Sequence, residues 1–271
     1  MRVRFWGVRG SVAVSGTPFI GTGGNTTCVE IQHEGHRLIL DGGTGLQALG
    51  QAVGSPTDAT ILFTHVHWDH IQGVPFFQPL YHPESRIQMM GVRSSWGSIR
   101  DALDAQMRPP QFPIGLKDFN AQLAFDDIDP RHPTEVGPFR VETRAMDHPD
   151  GVMVYRVTAG GRTVVFATDV EHGDSLDRDF LTFCEGSDLL IHDAQYTDAE
   201  YRGVRCPPKA GWGHSTWNQA VSVGRLCGAE RLALFHHDPT RTDTQVAVIE
   251  DRARELHDGA FAAREGTVID L

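Results

Sequence analysis

Three imidazoles and a carboxylate fall within the six residues His65 to His70, in the stretch Thr64-His65-Val66-His67-Trp68-Asp69-His70. Neutral imidazole is the commonest nitrogen ligand for protein-bound metals, and Asp adds a hard anionic oxygen. His65 and His67, two apart, can grip one metal where a strand curls at its end. Asp69 and His70, adjacent, can face the other way toward a second metal. A solvated polar loop with surface histidines is the bland alternative, but such loops seldom cluster donors so densely. The stretch follows Ala59-Thr60-Ile61-Leu62-Phe63, a β-branched, apolar run that reads as a buried strand. Sheet proteins place their chemistry on loops held at strand ends.

The elements that must position further donors have the same form. Residues 137–146 read as a strand delivering Asp147-His148-Pro149. Residues 151–157 and 162–167 read as a hairpin turned at Gly160-Gly161 and delivering Thr168-Asp169. A buried run from Ser187 to His192 ends at Asp193, and another from Glu230 to Phe235 delivers His236-His237-Asp238. Between them lies Gly211-Trp212-Gly213-His214-Ser215-Thr216-Trp217, with Ser215 or Thr216 suited to cap a helix running to Gly224. Elsewhere the pattern predicts a first strand at Val3–Trp6, Gly-rich loops over 7–11 and 21–27, and a hairpin of 28–32 with 37–41. It adds helices over 46–53, which Thr44 can cap, and 243–257, a strand over 86–90 and a closing edge strand over 266–271. Periodicity alone gives an α/β protein with no solenoid repeat.

Composition bounds the function. The chain has 271 residues, 40% hydrophobic and 22% charged, enough for a substantial core without disulfides. Its formal net charge of −11 argues against a broad electrostatic grip on nucleic acid. Cys28, Cys184, Cys206 and Cys227 form no Cys-x-x-Cys pair, which fits reduced thiols in a cytoplasmic protein rather than a zinc ribbon. Residues 1–7 lack the apolar stretch of an export signal, and no apolar run approaches the roughly 20 residues of a membrane helix. Cytoplasmic localisation without membrane contact is therefore expected.

The His-x-His-x-Asp-His stretch resembles the signature of the metallo-β-lactamase superfamily of dinuclear metal hydrolases, and the later donors follow in that family's order. The resemblance implies a four-layer αββα sandwich of two mixed β-sheets flanked by helices, formed by residues 1–271 as a single domain. A weakly periodic stretch at about 94–135 suggests a lid or surface insertion. In family terms His65, His67 and His148 hold one metal, Asp69, His70 and His236 hold the other, and Asp169 bridges them. His237 is the competitor for the last position; His236 is preferred because it directly ends its strand. The donor mix suits two divalent cations, Zn2+ best, with Mn2+ or Fe as alternatives. Asp41 would orient the metal loop, and Arg9 and Asn25 would support the site from behind the ligands or touch substrate.

Gly-His-Ser-Thr at 213–216 resembles a motif of the phosphodiesterase branch, which includes the tRNA 3′-processing endonucleases called tRNase Z. That resemblance makes His214 a general acid oriented by Asp193, with Asp69 both ligand and orienter of the attacking water. An alkoxide leaving a phosphodiester gains from protonation, whereas lactam and thioester hydrolysis need no such pair. The expected function is hydrolysis of a small nucleotide or cyclic nucleotide phosphodiester by a water that bridges the metals. The alternatives are a tRNA 3′-end endonuclease, with nucleic acid the less favoured partner for want of a basic arm, and a metallo-hydrolase of other esters. A homodimer is implied by the phosphodiesterase branch.

Overall fold

A computed structural model describes residues 1–94 and 97–271. In chain order the elements of the first half are β1 (Arg2–Gly7), β2 (Cys28–His33), β3 (His36–Leu40), α1 (Gly45–Val53), β4 (Asp58–Phe63), the single turn α2 (Trp68–Ile71), β5 (Arg86–Gly91), α3 (Ile99–Gln106) and β6 (Gln122–Asp127). The second half holds β7 (Thr134–Val136), β8 (Phe139–Met146), β9 (Val152–Ala159), β10 (Arg162–Ala167), α4 (Arg178–Cys184) and β11 (Leu189–Asp193). It continues with α5 (Asp198–Tyr201), α6 (Trp217–Leu226), β12 (Arg231–Phe235), α7 (Asp243–Leu256), β13 (Ala260–Ala262) and β14 (Val268–Asp270).

The strands form two seven-stranded mixed sheets, ordered β14-β1-β2-β3-β4-β5-β6 and β13-β12-β11-β10-β9-β8-β7. In the first sheet β3 to β6 run parallel. In the second β10 to β13 do. Parallel strands are buried on both faces, which is why β4 and β11 carry the apolar runs Ile61–Phe63 and Leu189–Ile191. Leu62 faces the other sheet while Ile61 and Phe63 face outward. Likewise Leu189 and Ile191 point between the sheets and Leu190 points outward. The inter-sheet core is aromatic at its centre: Phe5 and Phe166 each meet Phe235, at ring-centroid distances of 6.0 and 5.6 Å. α1 and α3 cover the first sheet through Leu46, Leu49, Ile99 and Leu103. α4, α6 and α7 cover the second through Phe180, Val221 and Ala253. The result is the expected αββα sandwich.

The span from 94 to about 135, expected as an insertion, is partly sheet. α3 opens on a capping box between Ser98 and Asp101, and β6 is the edge strand beside β5. Residues 95 and 96 of that span lie outside the described residues. Thr44 does not cap α1 through its side chain; its Oγ1 accepts from the Thr26 amide instead. α6 is capped by Thr216, whose side chain accepts from Gln219.

Candidate metal centre

Every donor sits just past the C-terminal end of a strand, the end where open α/β sheets bind ligands. The loop after β4 is fixed from three sides. Asp41 accepts from the Thr64 amide at 2.8 Å and from its hydroxyl at 2.9 Å. The Gly42 amide donates to the His70 carbonyl, and Gly73 N donates back to Gly42 O. A Cβ at Gly73 would lie 1.9 Å from the Gly43 carbonyl oxygen, so only glycine lets the two turns touch. From the opposite sheet, Tyr155 donates its hydroxyl to Phe63 O at 2.6 Å, and Met153 N donates to Thr64 O. Asp41, Asp169 and His236 all adopt left-handed backbone, with φ of 61, 56 and 59°. Non-glycine residues in that region are held there at a cost and cluster at functional sites.

The seven expected ligands converge in two groups. One ligand atom each from His65, His67 and His148 lies within 4.8 Å of the others, and the same holds for Asp69, His70, Asp169 and His236. Asp169 stands between the groups. Its Oδ1 is 3.9 Å from His65 Nε2 and 3.8 Å from His148 Nε2. Its Oδ2 is 3.2 Å from both His70 Nε2 and His236 Nε2. The outer nitrogens are committed: Nδ1 of His65 to Thr64 Oγ1, of His70 to Asp41, of His148 to the Gly213 carbonyl and of His236 to Gln195 Oε1. Such bonds fix which ring nitrogen faces inward. His67 differs, pairing its Nδ1 with His148 Nε2 at 2.9 Å.

These residues fit a pair of cations. His65 Nε2 is buried without a hydrogen-bond partner, an uncompensated polar atom that a metal would satisfy. Burial, then the nearby His70, pushes the His65 imidazole well below its usual range, as a neutral ligand requires. Burial also disfavours charge on His70, but Asp169, Asp69 and Asp41 pull it well up. A cation taking their place would free that proton. Burial works against ionised Asp69 too, yet His70 and His236 hold it well below the carboxylate range.

His214 lies against this centre. Its Nδ1 is 2.8 Å from Asp193 Oδ2, and its ring stacks on His236 at 5.0 Å. Burial by itself would lower its pKa; the charge and hydrogen bond of Asp193 override that and raise it to about 9. Asp193 also accepts from the amides of Asp169, Gln195 and Ser215. Its oxygens are thereby taken by N–H donors, although Asp169, Asp193, His214 and His236 also lie close enough together to share a cation.

Not every expected residue arrives. Arg9 is fully buried and donates to the carbonyls of Gly23 and Arg241, and Asn25 bonds Glu265, so both side chains brace loops and meet none of the seven donors. His237 donates from Nε2 to the Ala263 carbonyl at 3.0 Å, and burial pushes its pKa down to about 3. Three participants carried no sequence signal. The Ser11 amide donates to Asp69 Oδ2 at 2.7 Å. Gln195 orients His236. Glu171 accepts from Tyr201 Oη and from the amides of Gly211 and Gly213.

Two face-to-face sheets with a bridging Asp between His-rich groups are the layout of the metal-dependent hydrolases of this fold. A family model described as the beta-lactamase superfamily domain matches residues 21–237, and the chain belongs to that superfamily. It is similar to the ribonuclease Z of Natronomonas pharaonis, with 27% identity over 319 aligned positions, 100% of this chain and 98% of the relative. The ribonuclease Z of Haloferax volcanii is 28% identical, with 93% of this chain and 94% of the relative aligned. Among solved structures, the metallo-beta-lactamase fold protein YhfI of Bacillus subtilis superposes with a TM-score of 0.75 at 19% identity, over 99% of this chain and 98% of the other, a likeness of fold.

Proposed function

We propose that the protein is a metal-dependent phosphodiesterase acting on RNA in the manner of a ribonuclease Z. His65, His67 and His148 would hold one cation, Asp69, His70 and His236 the other, with Asp169 shared; Zn2+ is the favoured metal. Bound there, two divalent cations would acidify a water between them and draw charge from a phosphoryl oxygen. Asp69, kept ionised, would accept a hydrogen bond from that water and position it for attack on phosphorus. As the P–O bond breaks, His214 Nε2 gives its proton to the leaving oxygen, while Asp193 holds Nδ1 and stabilises the imidazolium. A group charged at neutral pH with its second nitrogen anchored is suited to that donation. The observation that carries this reading is the 2.8 Å His214–Asp193 bond beside the two donor groups. The ribonuclease Z name of the aligned relatives supports RNA as substrate.

A second reading, hydrolysis of a small nucleotide or cyclic nucleotide diester, rests on two observations. The net charge is −11. The alignment with the Natronomonas relative also spans 319 positions against the 271 residues here, so about 48 have no counterpart in this chain. Metal-replete protein should be offered precursor tRNA with a 3′ trailer, a cyclic nucleotide and bis-p-nitrophenyl phosphate. Trailer removal supports the first reading, and turnover of only the small diesters supports the second. No turnover of any with Zn2+ or Mn2+ sinks the phosphodiesterase assignment. The same reading takes residues 1–271 as one cytoplasmic domain that forms a homodimer, which limited proteolysis, fractionation and light scattering would test.

A further inference from the structure

One cation lies within about 12 Å of His214 without belonging to the candidate ligand set. Lys209 is one of two lysines in the chain, and among the described residues no carboxylate lies within 4.0 Å of its ammonium. Instead its Nζ sits 3.8 Å from the centroid of the Trp212 ring and 5.9 Å from that of Tyr196. The Tyr196 ring is 5.7 Å from the His214 ring, so the ammonium is within about 12 Å of the group that would protonate the leaving oxygen. Trp212 is 53% exposed, an unusual placement for an indole, whereas Tyr196 is buried.

The segment carrying the pair is tied to the centre. Glu171, two residues after Asp169, accepts from the Gly211 and Gly213 amides at 2.7 and 2.6 Å and from Tyr201 Oη at 2.6 Å. Lys209 N donates to Tyr201 O, and the Gly213 carbonyl meets His148. An indole and an ammonium are thus presented at a fixed distance from the donors, on a protein that is otherwise acidic. An exposed indole offers a face on which any nucleobase stacks, and an unpaired ammonium beside it suits a phosphate oxygen.

We propose that Lys209 and Trp212 form a nucleotide subsite next to His214, in which a base stacks on Trp212 and Lys209 pairs with the adjacent phosphate. The assignment rests on the phosphodiesterase reading and specifies how that site recognises its substrate. The test is calorimetric titration of the metal-loaded protein with a nucleoside 5′-monophosphate and, separately, ribose 5-phosphate. The wild type should bind the nucleotide about 10-fold more tightly. Trp212→Ala should abolish that preference and Trp212→Phe should keep most of it, while Lys209→Gln should weaken both ligands several-fold. Melting curves establish that each variant is folded, and Trp212→Leu, which fills the site without an aromatic face and should also lose the preference, carries the comparison should Trp212→Ala be unstable. A preference unchanged in Trp212→Ala, or absent in a wild type that hydrolyses phosphodiesters, overturns the subsite and leaves the phosphodiesterase reading standing. Base-dependent binding by a protein that hydrolyses no phosphodiester supports the subsite and sinks that reading.

Discussion

With Nδ1 of His214 bonded to Asp193, Nε2 is the nitrogen left to give up a proton. Its value to catalysis then depends on how badly the leaving oxygen needs one. His214→Asn should lower kcat about 10²- to 10⁴-fold on a diester with an alkoxide leaving group and far less on a p-nitrophenyl diester. Equal losses on both would show that His214 does not act as the acid. A second residue-scale consequence concerns His172, whose Nε2 is 3.0 Å from His192 Nε2. Burial, then His192, presses its pKa down to about 3. The unfolded chain, near 6.5, binds the proton more readily, so folded stability is complete above that pH and is lost as pH falls from about 6.5 toward 3. The slope is at most about 1.4 kcal/mol per pH unit for this one group. Urea titrations of metal-free protein between pH 6.5 and 5 should show a shallower loss for His172→Gln than for wild type; parallel curves would refute the assignment.

At the scale of elements, the loop before α6 matters through backbone rather than side chains. Gly213 has φ +84°, and a Cβ there would lie 2.1 Å from His148 Nδ1 and 2.5 Å from Pro149 Cδ. Gly211 has nearly the same φ, +83°, with nothing within 4 Å of its Cβ position. Both alanine substitutions carry the left-handed cost of about 1–2 kcal/mol. Gly213→Ala must also displace His148, so metal per chain by atomic emission and activity should both fall. Gly211→Ala should lose a similar increment of stability and keep its metal. If the two variants bind metal alike, the glycine is not what holds His148 in place.

For the whole molecule, the donors come from the ends of β4 in one sheet and of β8, β10 and β12 in the other. Cations there would cross-link the sheets in the folded chain alone. Occupancy at 100 times Kd adds about 2.7 kcal/mol per site, and about 1 kcal/mol moves Tm by roughly 2–4 °C in a chain of this size. Chelation should therefore lower Tm by more than about 5 °C, with recovery on adding Zn2+. Asp169→Asn, which removes the shared carboxylate charge, should show a much smaller response. A Tm indifferent to chelator would mean the folded chain binds no stabilising cation.

Most of the candidate donors were legible because they follow short apolar runs, and parallel strands buried on both faces announce themselves by composition; His148 instead follows the alternating, antiparallel β8. Asp41 was legible for the same reason, directly after Leu38-Ile39-Leu40. Ser11, Gln195 and Glu171 were not, since they act through a single amide, a carboxamide or a loop anchor with no characteristic spacing. Arg9 misled because its contacts are carbonyls brought from residues 23 and 241 by the fold. Local pattern and donor chemistry thus determined most of the strands, the helices α1, α6 and α7 and the residues able to bind cations, but not β6, β7, β13 or α3 to α5. Which face of Asp169 meets which imidazole, and where Lys209 stands relative to His214, were decided by tertiary structure. Those distances depend on two sheets closing over one core, which no local stretch of sequence encodes.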